Sequence, residues 1–240
     1  MSRSVTWLGH ASVLIEAGGA RLLTDPVLRE RVMHLRRHAP CADLPEDVDA
    51  VLISHLHHDH ADLPTLRRLP AGTRVIAPRG ASAALRGLGV EEVEVGDVVT
   101  VGAAQVRVVH ASHPVKRLPW GPQTPAVGYL VEGVYFAGDT DLFEAMASLA
   151  PLEAALLPVW GWGPTLGPGH LDPEEAARTL PLLRPKIAVP IHWGTFLPYG
   201  LERRHGRLLH EPVAQFRRHA ERIAPEVRVL VPAVGEPLEI

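Results

Sequence analysis

The segment from Val51 to Leu63, VLISHLHHDHADL, holds four histidines and two aspartates in thirteen residues. Crowded imidazoles repel one another once protonated, so such a cluster is unfavourable unless something offsets it. A bound cation does so, because neutral imidazole and carboxylate are ligands for zinc, manganese or iron. The spacing has a mechanical sense as well. His55 and His57, two apart, can project from one side of an extended strand end. Asp59 and His60 follow where the chain turns toward a helix, and so aim at a second nearby point. One short loop could therefore serve two ions.

The elements that must hold this loop can be read around it. Val51-Leu52-Ile53 is the end of a buried strand, and Asp62 is placed to cap a short helix over Leu63 to Leu69. Upstream, VTWLGHASVLIEAGGARLLTDP reads as short strands turning at Gly18-Gly19. Downstream, RVIAP is a strand and Ala81 to Leu88 a helix. VEEVEV, DVVTV and AQVRVVHAS follow as strands, and AVGYLVEGVYFAGDT as a hairpin turned at Glu132-Gly133. Asp141 to Leu149 reads as a helix and EAALLPV as a strand. In LDPEEAARTL, Asp172 is a cap, Pro173 the first helical position and Glu175 the closing residue of a capping box. Pro181 should end or kink that helix. KIAVPI is a strand, Pro212 opens a last helix through Ile223, and VRVLVP is a final strand. Strands in runs with helices between the later ones predict a mixed sheet-and-helix domain over residues 1–240, without a linker or repeat.

The string His55-x-His57-x-Asp59-His60 resembles the signature of the metallo-β-lactamase superfamily. The resemblance extends to YFAGDTDLF and VPIHWGTF. WLGHASVLIE and LLTDPVL are similar to the openings of the ascorbate-6-phosphate lactonase and N-acyl phosphatidylethanolamine phospholipase D branches. It implies an α/β (α+β) αββα sandwich, two mixed sheets with helices on the outer faces. It also implies a binuclear site. His55, His57 and a third histidine would hold one ion; Asp59, His60 and His192 would hold the other; Asp139 would bridge. For the third histidine, VVHASHP offers His110 and His113. The Ala-x-His pattern followed by the basic pair Lys116-Arg117 favours His113. Asp59 would also orient the attacking water, and His170, in a Gly/Pro-rich loop, would stand near the leaving oxygen. His58 falls at the variable position of the motif. His10 reads equally well as a packed or a partly exposed histidine.

The resemblance implies a metal-dependent hydrolase with two divalent ions, zinc first with manganese or iron as alternatives. Arg29, Arg31, Arg36 and Arg37, with Lys116 and Arg117, are the candidate basic rim around an anionic substrate. They favour a phosphodiester or other phosphate-bearing molecule over a lactone or plain ester. Trp160 and Trp162 are candidate pocket walls. A di-iron redox protein or an inactive ligand- or RNA-binding scaffold are the readings from other classes. The first lacks a flavodoxin-like partner domain in 240 residues, and the complete ligand set argues against the second.

Composition narrows the class further. A net charge of −3 gives no field for nucleic acid. One cysteine, Cys41, excludes an intrachain disulfide. The start lacks the apolar core of a signal peptide, and no uncharged apolar run approaches the ~18 residues of a membrane span. Those features predict a cytoplasmic protein with a small-molecule substrate, and leave a homo-oligomer open. The chain has no Asn, only Lys116 and Lys186 as lysines, and 23 prolines. Heat adaptation and GC-rich coding both produce that bias.

Overall fold

The computed structural model describes residues 3–116 and 123–240, the Lys116 and Gln123 side chains excepted. Two seven-stranded sheets form the centre. In the first, the order is Pro237–Glu239, Ser4–Gly9, Ser12–Ala17, Ala20–Thr24, Ala50–Leu52, Arg74–Pro78 and Val90–Val93. In the second it is Arg228–Val229, Pro185–Ile191, Leu152–Pro158, Val134–Phe136, Val127–Val131, Ala104–His110 and Val98–Val101. Each sheet is antiparallel on one side and parallel on the other.

The strand period of two sorts the core into layers. Val13, Ile15, Leu22, Leu52 and Ile76 of the first sheet face Tyr129, Phe136, Leu156 and Val189 of the second. Their neighbours Leu14, Leu23, Val51 and Val75 point outward and pack with Leu66, Ala81 and Leu85. On the far side, Tyr135, Ala155, Leu157 and Ala188 pack with Leu180, Leu183, Phe216 and Ala220 of two helices. Those helices are Pro173–Leu183 and Glu211–Ile223. The result is the αββα sandwich.

Several boundaries differ from expectation. The helix over 173–183 starts with the Asp172–Glu175 capping box but runs past Pro181, closing at Arg184 in a left-handed conformation. A proline in the last turn removes only one intrahelical bond there. The helices expected over 63–69 and 81–88 are single turns, Leu63–Leu66 and Ala81–Ala84. Residues 141–143 are not helical, and a 3₁₀ turn covers Glu144–Leu149. The Asp141 N–H donates to Ser112 O (2.9 Å), and the Asp141 carboxylate accepts from Gly169 N–H (3.0 Å), which ties this stretch to two other loops. Residues 29–40 contain a small hairpin, Arg31–Val32 with Leu35–Arg37, that pairs with Phe196–Pro198 in a separate three-stranded sheet.

Parallel strands point their carboxyl ends the same way, and sites collect there. Asp25, His55, Asp139, Trp160 and His192 all follow the carboxyl ends of such strands. His113 follows Ala104–His110. Gly138 brings the halves close: its φ is +62°, and an added Cβ would lie 2.6 Å from Ser54 Cβ. The Gly138-Asp139-Thr140 turn therefore sits directly on the strand end that launches His55. Thr140 Oγ1 also accepts the Ser112 N–H (2.9 Å), fixing the loop that carries His113.

Candidate metal centre

Imidazoles from both sheets converge on buried points. His57 Nδ1 lies 3.0 Å from His55 Nε2 and 3.1 Å from His113 Nε2. His60 Nε2 lies 3.0 Å from His192 Nε2. Asp139 spans the groups: Oδ2 is 3.2 Å from His60 Nε2 and 3.8 Å from His55 Nε2, and Oδ1 is 3.3 Å from His192 Nε2. Asp59 Oδ2 is 3.7 Å from both His60 Nε2 and His192 Nε2. His110 is exposed and lies edge-on to Phe143 instead, so the turn brings in His113 and leaves His110 out.

The outer nitrogens settle which way each lone pair points. Ser54 donates its N–H (2.7 Å) and its hydroxyl (2.5 Å) to the Asp25 carboxylate. Its oxygen is then the acceptor for His55 Nδ1–H at 2.9 Å. His60 donates Nδ1–H to Asp25 Oδ2 (2.7 Å), His113 to Gly169 O (2.7 Å) and His192 to Trp160 O (2.9 Å). All four therefore turn Nε2 inward. Bare nitrogens facing each other at 3.0 Å repel unless a proton or a cation lies between them. Tetrahedral zinc, with bonds of ~2.0–2.1 Å, holds neighbouring ligand atoms about 3.3 Å apart. Asp139 Oδ1 is buried and accepts no hydrogen bond, which a bridging carboxylate oxygen would resolve. The donor set fits metal cations.

Electrostatics agree with this. Burial pulls the pKa of His55 well below its ordinary value, and that of His113 down to about 4. His60 is also opposed by burial, but Asp139, Asp25 and Asp59 outweigh it and hold it well above the ordinary value. Burial would raise Asp139 and Asp59; the surrounding histidines, His192 and His60 foremost for Asp139, keep both well below the usual carboxylate range.

Two residues given no role on sequence grounds belong here. Asp25 is buried and accepts three hydrogen bonds, from Ser54 and His60. Its Asp-Pro dipeptide reads as a turn, which hid it. His10, 1% exposed, donates Nε2–H to Asp59 Oδ2 (3.0 Å), and burial pushes its pKa down to about 3. Its N–H donates to Thr195 Oγ1 (2.6 Å), and its carbonyl accepts His192 N–H (2.9 Å). His10, Asp25 and His192 all have left-handed backbones, at φ 54°, 34° and 61°. Such strain in non-glycine residues collects at functional sites.

His170 Nε2 stands 3.4 Å from Asp139 Oδ2, with Nδ1 on Gly167 O (3.0 Å). Burial lowers its pKa, but the hydrogen bond and charge of Asp139 raise it to about 9. Asp62 caps its helix and pairs with Arg29 (2.7 Å), outside the centre. His58 is half-buried and lines the cavity above the centre, as does Trp162; Trp160 instead contributes its carbonyl.

The expected basic rim is not formed by its four arginines. Arg29 is committed to Asp62. Arg37 is buried, donating to the carbonyls of Arg29, Pro40 and Val27. Arg31 lies over the Tyr199 ring, and neither Arg31 nor Arg36 lines the cavity above the centre. A guanidinium near a folded loop is drawn to unpaired carbonyls as readily as to solvent. The Lys116 side chain and Arg117 lie outside the described residues.

The family described as "Beta-lactamase superfamily domain" matches residues 20–193, which contain every residue of the centre except His10. The chain belongs to the β-lactamase superfamily. Within that superfamily it is 32% identical over 251 residues to "UPF0173 metal-dependent hydrolase MK1542" of Methanopyrus kandleri, covering 98% of this chain and 99% of the relative. Among solved structures it superposes on Igni18, a metallo hydrolase from Ignicoccus hospitalis, with a TM-score of 0.74 at 22% identity, covering 100% and 99% of the two chains. It also superposes on CmlA, a diiron beta-hydroxylase from Streptomyces venezuelae. There the TM-score is 0.69 at 20% identity, over 99% of this chain and 54% of that one. The last two likenesses show the superfamily's fold, which hosts more than one chemistry. Among the described residues no helix is long and apolar enough to cross a membrane.

Proposed function

We propose that this chain is a binuclear metal-dependent hydrolase. The observation that carries the reading is the Asp139 carboxylate standing between two groups of inward-facing imidazoles, with one oxygen unpaired. His55, His57 and His113 would hold one ion, Asp59, His60 and His192 the other, and Asp139 both. Zinc is the first candidate, with manganese or iron as alternatives. Two such ions would supply a water whose pKa is lowered toward neutrality and would polarise the substrate oxygen. The name of the M. kandleri relative supports the same reaction class.

The chain's own residues do the rest. Asp59, held by His10, accepts a hydrogen from the water and aims its lone pair at the substrate. His170 donates a proton to the leaving oxygen. Its elevated pKa depends on the negative charge of Asp139, so cations on that carboxylate would bring it back toward neutral, where a general acid works best. Asp25, Ser54 and the carbonyls of Trp160 and Gly169 keep the imidazoles turned inward. Phosphodiester and carboxylic-ester or lactone hydrolysis share this nucleophile and this acid.

The test joins composition to turnover. Protein saturated with zinc, manganese or iron should approach two equivalents and hydrolyse an activated phosphodiester, ester or lactone. One equivalent or fewer at saturation would reject the binuclear reading. Two equivalents without hydrolysis, but with reduction of oxygen at iron, would move the chain to the redox class.

A further inference from the structure

The cavity above the centre has a volume of about 290 Å³, at the small end for ligand sites. Its floor is the cluster already described. Its walls are largely apolar, Val32, Met33 and Leu35 from the small hairpin and Trp162 and Leu166 from the loop after Leu152–Pro158, with His34, His58 and Thr165 as the polar members. The walls are fixed to each other. Val32 and Leu35 share a buried cluster with Val27 and Phe196, against which Trp162 packs. His34 meets the Trp162 ring edge-on at 5.1 Å. Arg37, on the carbonyls beneath the hairpin, anchors it from below. Met33 forms the tip, in a left-handed conformation and 71% exposed. An exposed methionine over a reactive centre contributes little packing inside the chain, but it offers an adaptable apolar surface to a ligand.

We infer that the substrate is an uncharged carboxylic ester or lactone whose alkyl or aryl group lies between Met33 and Leu166 against Trp162. The inference rests on the hydrolase reading above. It reverses the expectation of a phosphate-bearing substrate: of the four arginines that motivated that expectation, Arg37 holds the hairpin, Arg29 pairs with Asp62, and Arg31 and Arg36 do not line the cavity, to which the hairpin presents Val32, Met33 and Leu35. In the reaction the water oxygen bonds to the carbonyl carbon and the carbon–alkoxy bond breaks. The alkoxy oxygen takes its proton from His170. One water proton restores His170, and the other leaves as the product acid ionises to carboxylate.

Two measurements on metal-saturated protein test this. The first is calorimetric binding of straight-chain carboxylates, acetate to hexanoate, as product analogues, with inorganic phosphate for comparison. Affinity should rise about fourfold per methylene, and hexanoate should bind more tightly than phosphate. Met33→Ala and Leu166→Ala should flatten that gradient while metal content stays at two equivalents. The second is turnover of p-nitrophenyl acetate, butyrate and hexanoate beside bis(p-nitrophenyl) phosphate, with KM falling along the ester series. Affinity indifferent to chain length, or phosphate preferred over hexanoate, would overturn the apolar-substrate inference while leaving the hydrolase reading intact. Turnover of the phosphodiester with none of the esters would do the same. A graded binding series with no turnover of any compound would instead overturn the hydrolase reading, and the ester assignment with it.

Discussion

The two sheets equip the same centre in different ways. The first sheet delivers His55, His57, Asp59 and His60 from one strand end and orients them with side chains: Asp25, Ser54 and His10. The second delivers His113, Asp139 and His192 from three separate strand ends and orients its imidazoles with backbone carbonyls, Gly169 O and Trp160 O. A contiguous loop has one launching point and needs neighbouring side chains to aim each ring. Ligands spread over several strands are aimed by the sheet itself, because their loops already lie side by side. The first half can therefore be dismantled by changing acceptors. The second yields mainly to changes in the ligands or in the backbone.

Asp139→Ala should have the largest effect, since this residue faces both groups of imidazoles. Metal content should fall from two equivalents to one or fewer. Turnover should drop by more than the 10–100-fold typical of losing an outer hydrogen-bond partner. Retention of two equivalents would mean that the halves bind independently and that Asp139 does not join them.

Asp25→Ala tests the side-chain arm of the comparison. It strands the Ser54 N–H, the Ser54 hydroxyl and His60 Nδ1–H inside the protein. Metal affinity should fall about 10–100-fold, and stability by on the order of 3 kcal/mol. Asp25→Asn keeps an acceptor oxygen and should recover part of both. His10→Ala should act in the same direction on the metal held near Asp59, and more mildly, because Asp59 has other neighbours. Equal affinities for wild type and Asp25→Ala would show that His60 is aimed by packing alone.

The same difference explains what the sequence could reveal. The first half's candidate ligands stand in one string, and their types and spacing suggested metal ions. The second half's candidate ligands are separated by dozens of residues; family motifs placed them, while strand pairing brings them together. The strand pattern gave a mixed sheet-and-helix domain, because buried alternation leaves a direct trace; its division into two mixed sheets came from the family resemblance. Asp25 escaped notice because a carboxylate before proline has the same composition as a turn. His10 did so because a lone histidine carries no sign of burial. Arg37 misled for a related reason: sequence records a charge but not the carbonyls that will claim it. Single-turn helices such as Ala81–Ala84 were overextended because their ends are set by tertiary bonds.

Gly169→Ala reaches the backbone arm. Gly169 has φ +83°, and an added Cβ would come within 2.5 Å of His113 Nδ1 and 2.6 Å of Pro114 Cδ. His113 must shift from its carbonyl acceptor, so the ion held with His55 and His57 should weaken, by about tenfold, while the other is retained. Loss of both ions in parallel would show that the halves are coupled more tightly than their separate scaffolds suggest.

The smallest effect is a pH profile, and it bears on both halves at once. Both contain lowered histidines, His10 at about 3 with His55 and His57 in the first and His113 at about 4 in the second, and each contains a raised one, His60 and His170, the latter at about 9. A lowered histidine is neutral in the fold but takes up a proton on unfolding below the ordinary value of 6.5. Its stabilising effect is thus complete above pH 6.5 and is lost as the pH falls toward 4 and 3. Asp59 and Asp139, both depressed, add to the loss at still lower pH. A raised histidine acts the other way, stabilising fully below pH 6.5 and losing that effect as the pH climbs through 9. Metal-free protein should therefore be most stable near pH 6.5 and melt a few degrees lower on either side, at about 2–4 °C per kcal/mol for a chain of this size. Cations at the centre replace the protons on His60 and remove the negative charge that raises His170, and their affinity grows with pH. Saturating zinc should accordingly abolish the alkaline decline. Thermal melts from pH 5 to 9.5, with and without the metal, check this. An alkaline limb unchanged by zinc would mean that the ions do not sit on Asp139 and His60, and the shared centre would have to be replaced by two unlinked sites.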